Sequence, residues 1–191
     1  MNRKGPLITD SGGFQIFSLD ASSYDIDQNV ELKGTGSKQR PSTLLKQTEE
    51  GVLFRSYRDG TKIFLSPETS VIAQKELGAD IIIPLDQLLP YSVDRFHLKE
   101  SLELTHRWEQ RSLTQHLSDP SEQAMYCVLH GGLDRELRQH SIDFLSKLPF
   151  DGFAIGGSLG KTRDDLIKLL DFMMPKLEYS KPRHILGIGD M

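Results

Sequence analysis

The sequence predicts an α/β fold, a parallel sheet of buried strands with helices packed outside it. Two observations carry this. Five short, partly β-branched apolar runs lack the strict alternation of a half-exposed strand, which suits strands covered on both faces. Each run stops abruptly at Gly, Asp or His, and stretches of helical periodicity lie between the later ones.

Leu7-Ile8-Thr9 is the first run and opens into Asp10-Ser11-Gly12-Gly13. Residues 20–65 then break the alternation. From Asp20 to Glu50 the chain is polar, with Gly34-Thr35-Gly36-Ser37 at its middle, and reads as a mobile loop or insertion. From about Val52 to Leu65 two strands flank Asp59-Gly60, a short-range hairpin signal. Ser66-Pro67-Glu68 starts the first helix: Ser66 caps it, Pro67 suits its first turn, and Gly78 stops it after Leu77. Ile81 to Leu85 is the second run and delivers Asp86. The second helix spans roughly His97 to Leu117, with Leu98, Leu102, Thr105 and Trp108 on one face, and Asp119-Pro120 breaks the chain beyond it. Met125 to Leu129 leads into His130-Gly131-Gly132. The third helix covers about Asp134 to Lys147, its stripe formed by Leu133, Leu137, Phe144, Leu145 and Leu148. Phe153-Ala154-Ile155 ends at Gly156-Gly157, and Thr162 caps a fourth helix carrying Leu166, Leu169, Leu170, Met173 and Leu177. His184-Ile185-Leu186 runs into Gly187-Ile188-Gly189-Asp190.

A complete (β/α)8 barrel takes ~250 residues, whereas these 191 supply about five βα units. Two architectures fit: a smaller open α/β sheet, or a TIM-type (β/α)8 barrel that is incomplete, with about five βα units plus the hairpin insertion. The last run favours the incomplete barrel, because a strand and its loop are followed by no helix. A single partial-barrel domain over residues 1–191 is expected.

Composition narrows the function. With 37% apolar and 26% charged residues the chain is too apolar for disorder. A net charge of −4 excludes a uniformly basic nucleic-acid coat and confines any phosphate contact to a local patch. The single Cys127 excludes an internal disulfide and a cysteine-rich zinc site within these residues, and it suits a reducing compartment, so a cytoplasmic location is expected. No apolar run approaches the ~18 residues of a membrane span, and Met1 to Pro6 offers no signal segment. His97, His106, His116, His140 and His184 lack metal-ligand spacing in the sequence, so no metal is assigned.

Four strand ends hold residues suited to a ligand. Asp10 can act as general base or nucleophile, Gly12 and Gly13 admit a flat ligand to the backbone beside Ser11, and Phe14 offers a stacking face. The plain structural alternative is a turn capping a helix. Asp86 can accept from the adjacent N–H donors on the Watson–Crick edge of guanine, or serve as a cap or turn residue ahead of Pro90. His130 can donate to a carbonyl such as purine O6, or act as acid or base near neutral pH. Gly156 to Lys161, including Gly157, can direct backbone N–H groups at a carbonyl or an anion. Gly160-Lys161-Thr162 lacks the first glycine of a Walker loop and Gly187-Ile188-Gly189 is too short for a dinucleotide fingerprint, so no nucleotide cofactor is expected. Four such ends on one face are what a single ligand site on a βα scaffold produces.

Asp10 to Gln15, the Ser66-Pro67-Glu68 helix running to Leu77-Gly78-Ala79-Asp80-Ile81, Thr105-His106-Arg107-Trp108, and Phe150 to Gly157 resemble, in order and spacing, the tRNA-guanine transglycosylase (queuine tRNA-ribosyltransferase) family. The resemblance covers nearly the whole chain. It implies a TIM barrel, an ATP-independent exchange of the wobble guanine in tRNA with a GUN anticodon for a 7-deazaguanine base (queuine or a precursor), and a structural zinc beyond the later strands. Position by position it implies Asp10 as the catalytic proton acceptor, Asp86 as the reader of guanine N1 and the amino group, Phe14 as the stacking ring and Gly157 as a backbone donor to the base carbonyl. Ser11, Gly12, Gly13 and His130 complete the implied substrate-binding set. A homodimer is compatible with it, and no membrane partner is implied.

Several departures matter. His130 stands where the family usually has Gln, and its ring is expected to donate to O6 with an altered pH dependence. The loop Ser158 to Lys161 is one residue shorter than usual, with Lys161 near the place of a carboxylate, which disfavours an aminomethyl substituent. Leu88 replaces a Cys. The family's nucleophilic Asp, its zinc ligands and the strands before Asp10 have no counterpart in these residues, so the zinc subdomain is expected to be absent and this chain alone to fail at a double displacement, which needs both carboxylates. Two rival readings stand beside this one: a catalytically silent tRNA- or subunit-binding partner, and an unrelated βα enzyme holding a phosphorylated metabolite at Gly156 to Lys161. The family reading requires Asp10, Asp86, His130 and Gly157 to converge.

Overall fold

A computed structural model describes residues 4–18, 43–56, 58–119 and 121–188. Along the chain run β1 (Ile8–Thr9), α1 (Gly13–Ser18), β2 (Leu44–Thr48), β3 (Gly51–Arg55), β4 (Lys62–Leu65), α2 (Pro67–Glu76), β5 (Ile81–Ile82), α3 (Arg95–Ser118), β6 (Ala124–Leu129), α4 (Arg135–Leu145), β7 (Gly152–Ile155), α5 (Arg163–Met173) with a 3-10 turn (Met174–Lys176), and β8 (Arg183–Ile185).

Strands β1, β5, β6, β7 and β8 lie side by side in that order, and every neighbouring pair is parallel. Strand order follows chain order without reversal, so right-handed crossovers put every helix on the same side of the sheet. Helices α2, α3, α4 and α5 accordingly pack each against the next. This is a curled half-barrel, and of the two architectures open to the sequence it is the incomplete TIM-type barrel.

The inner strands β6 and β7, with Ile82 of β5, are covered on both faces, as their lack of alternation predicts, whereas the edge strands β1 and β8 are only partly covered because each has a neighbour on one side alone. Outward, Ile82, Met125, Cys127, Leu129, Phe153 and Ile155 meet Val71, Leu113, Ile142, Leu145, Leu169 and Met173 of the helices. Inward, Ile83, Tyr126, Val128 and Ala154 form a second cluster. Caps place the helices. Ser66 and Thr69 form a reciprocal capping box on α2, and Thr162 and Asp165 do the same on α5. Asp94 and Asp134 accept the first backbone N–H groups of α3 and α4. The Asp94 cap starts α3 two residues before the expected His97.

The expected hairpin is present, with β3 antiparallel to β4 and Phe54 opposite Ile63. A third strand joins it. Leu44–Thr48, read from the sequence as part of a polar loop, pairs antiparallel with β3 as β2, because the partner strand supplies hydrogen bonds that its own polar pattern does not announce. Val52 packs with Ile16, Leu85 and Trp108, fastening this small sheet to the barrel. Trp108 Nε1 donates to the Glu49 carbonyl at 2.8 Å, and Arg111 reaches the carbonyls of Glu49 and Glu50 while pairing with Glu68. Residues 19–42, including Gly34 to Ser37, and Gly189 and Asp190 lie outside the described residues. Among the described residues no helix is long and apolar enough to cross a membrane.

Candidate active site

The C-terminal ends of β1, β5, β6 and β7 bring Asp10, Asp86, His130 and Gly156-Gly157 to one rim. His130 Nε2 lies 2.8 Å from Asp86 Oδ2, with the two side chains 7% and 15% exposed. An ionised carboxylate only accepts, so Nε2 carries the shared hydrogen. Ser11 Oγ lies 3.5 Å from the other oxygen, Asp86 Oδ1, and accepts from the Gly13 N–H at 3.2 Å. Gly13 is pressed against Asp86, since a Cβ there would stand 2.8 Å from the Asp86 carbonyl oxygen. Gly157 has φ +70°, and a Cβ on it would stand 2.8 Å from His130 Nδ1, so the imidazole lies directly against the backbone leaving β7.

Asp10 stands at the solvent-facing side of this group. Partial burial, and then the charge of Asp86, raise its pKa above the usual carboxylate value, with His184 opposing them. Such a carboxyl holds a proton more readily than an isolated one and is suited to proton transfer.

Arg138 braces the rim from behind. It is fully buried on α4, burial pulls its pKa down to about 9, and its guanidinium donates to the carbonyls of Leu129, Gly132 and Ser158. One side chain thereby ties the loop after β6 to the loop after β7. Ser141, one turn further on α4, accepts from the His130 backbone N–H at 3.2 Å. Gln74 of α2 acts as a strand substitute, donating to the Ile83 carbonyl and accepting from the Ile83 N–H and the Thr9 hydroxyl. Glu109 is buried behind the rim; its Oε2 accepts from the Val128 N–H, and burial holds its pKa well above the usual range. Sequence reasoning missed these four. Arg138 and Ser141 had a signal, because they share the apolar stripe of Leu137, Ile142 and Leu145; a lone Gln on a helix gives none.

The geometry bears on each of the remaining expectations. The His130 ring, expected to offer a donor to a purine carbonyl, commits Nε2 to Asp86 instead. Phe14 is 58% exposed on α1, and Gly12 lines an apolar cavity of about 270 Å³ with Ile16, Phe54 and Leu65. Lys161 places its ammonium 5.1 Å from the centre of the Tyr91 ring. Asp86 does not cap α3; Asp94 does. The loop before α5 is a poor anion site, since Asp165 already accepts from the N–H groups of Lys161 and Thr162. A phosphate there would meet that carboxylate. The zinc implied by the family resemblance does not fit these residues either: the one cysteine, Cys127, lies in the core and burial pushes its thiol pKa up, the opposite of what a thiolate ligand needs.

This half-barrel is an incomplete TIM-type barrel, and its two carboxylates, imidazole and close-approach glycines stand at the C-terminal rim, where that fold usually binds its ligands. The family model described as queuine tRNA-ribosyltransferase matches residues 1–191. The queuine tRNA-ribosyltransferase of Protochlamydia amoebophila is 58% identical over 191 residues, covering all of this chain and 48% of that protein. Those of Chlamydia felis and Chlamydia trachomatis are 52% and 50% identical, again over the whole chain and 50% of each relative. The chain belongs to the queuine tRNA-ribosyltransferase family, and it spans about half the length of the curated relatives it matches.

Proposed function

We propose that this chain forms the base-recognition part of a tRNA-guanine transglycosylase, a cytoplasmic pentosyltransferase that exchanges the wobble guanine of tRNA with a GUN anticodon for a 7-deazaguanine. The observation that carries the reading is the meeting of Asp86, His130, Ser11 and Gly157 at one rim, with Asp10 beside them. Asp86 accepts from the N1–H and amino group of the base. Each carboxylate oxygen has two lone pairs, so Oδ2 accepts from the base without losing the His130 N–H. His130 then acts as a positioning residue that fixes the plane of the carboxylate, and the Gly157 N–H donates to O6. Phe14 stacks on the base. Asp10 takes the proton from the incoming base as its nitrogen attacks the ribosyl carbon: the N–H bond breaks, the N–C bond forms, and the bond from that carbon to the carboxylate nucleophile breaks with that carboxylate as the leaving group. The carboxylate nucleophile and structural zinc of a double displacement are assigned to the whole protein, outside these residues.

Calorimetric titration of the 191-residue chain with guanine tests the pocket. Asp86→Asn keeps the side-chain shape but turns an acceptor towards a donor, and a charged hydrogen bond is worth about 1.5–3 kcal/mol, so affinity should fall at least tenfold with circular dichroism unchanged. Equal affinity in the variant, or no guanine binding by the parent chain, would sink the assignment.

A further inference from the structure

Glu103 and His106 lie three residues apart on α3, hence on one face, and His140 of α4 comes up against them, so that one donor atom from each lies within 4.8 Å of the other two. None of the three has a part in the base pocket. His106 is 1% exposed. Its Nε2 lies 3.3 Å from Ser141 Oγ, and its Nδ1 is buried with no hydrogen-bond partner. Phe144 stacks on the ring at 4.5 Å and 8°, which fixes its plane. His140 Nε2 and Glu103 Oε1 are 3.0 Å apart, on side chains 46% and 41% exposed.

We propose that Glu103, His106 and His140 bind a borderline divalent cation of the Zn2+ or Co2+ kind, which staples α3 to α4. Two imidazoles and one carboxylate suit Zn2+, Co2+, Ni2+ or Cu2+ better than Mg2+ or Ca2+, which prefer oxygen throughout. Donors held ~2.1 Å from a tetrahedral metal stand about 3.4 Å apart. The 4.8 Å limit therefore asks for a closure of up to about 1.4 Å, which falls to the two half-exposed side chains. The cation takes the place of the hydrogen shared by His140 and Glu103, and the His140 imidazole moves its proton to Nδ1, so no proton is lost. Ser141 orients the His106 ring as an outer-shell partner, and water completes the coordination on the exposed side. The donor set contains no cysteine, so it is not the zinc site that the family resemblance implies.

The test is a titration of the chelator-stripped 191-residue chain with Zn2+ by calorimetry and with Co2+ by visible absorption. One equivalent should bind, with Co2+ bands of nitrogen and oxygen coordination. Glu103→Gln and His140→Ala should each weaken binding at least tenfold and abolish the Zn2+-dependent rise in thermal midpoint. His97→Ala, at an exposed histidine paired with Asp94 on the first turn of α3, should leave both unchanged. Absence of saturable binding, affinity insensitive to Glu103→Gln and His140→Ala, or an equal loss in His97→Ala would overturn the site.

Discussion

Replacing Gly157 with alanine probes the contact on which the rim depends. The residue has φ +70°, where a side chain costs about 1–2 kcal/mol of backbone strain. A second cost is steric. The added Cβ would stand 2.8 Å from His130 Nδ1 and 3.4 Å from Cε1, and the ring is held from its far side by Asp86 at 2.8 Å. It retreats only by lengthening that bond, which is worth about 1.5–3 kcal/mol. The two terms together predict a loss of about 2.5–5 kcal/mol. Gly60 supplies the internal control, because it has φ +74° with no atom within 4 Å of its Cβ position, so Gly60→Ala carries the strain without the collision. Urea unfolding followed by circular dichroism should place Gly157→Ala about 2 kcal/mol below Gly60→Ala, with unchanged m-values. Equal losses would refute the reasoning, since they would mean that His130 is not packed against Gly157.

Glu109 and Arg138 yield the remaining predictions. Burial raises the Glu109 pKa well above its ordinary 4.5, so between 4.5 and the folded value the folded chain binds more protons than the unfolded one. Its contribution is complete below the unfolded pKa and is lost as pH rises through the folded pKa. Glu109→Gln, which keeps the acceptor for the Val128 N–H, should therefore flatten the decline of the urea midpoint as pH rises above the ordinary 4.5; parallel profiles for the two proteins would show that the carboxyl is ionised in the fold. Arg138→Met removes donors from three carbonyls and should cost about 3 kcal/mol. Amide exchange should speed most at residues 130–132 and 157–160, the two loops the guanidinium joins, and a uniform rise across the chain would refute the clamp.

The elements that the sequence reveals are those decided by neighbours in the chain. Ser66 with Pro67, and Thr162, announce their helices because a cap acts within three or four residues. The runs at Met125 to Leu129 and Phe153 to Ile155 announce buried strands because burial on both faces removes alternation. The strand Leu44–Thr48 stayed hidden because its hydrogen bonds and apolar cover come from β3. Of the candidate site, strand ends at Asp10, Asp86, His130 and Gly157 were legible as a set, since a parallel sheet sends its C-terminal ends to one rim.

What the sequence by itself determined was therefore which side chains reach that rim, a matter of local periodicity and of strand direction. Tertiary structure alone decided how they meet. The His130 imidazole pairs with Asp86 across 44 positions, Arg138 bridges two loops from α4, and Glu103, His106 and His140 gather where two helices cross. The physical reason is that hydrogen bonds, desolvation and metal-ligand distances act over a few ångströms of space, and chain separation carries no record of them until the helices have closed over the sheet.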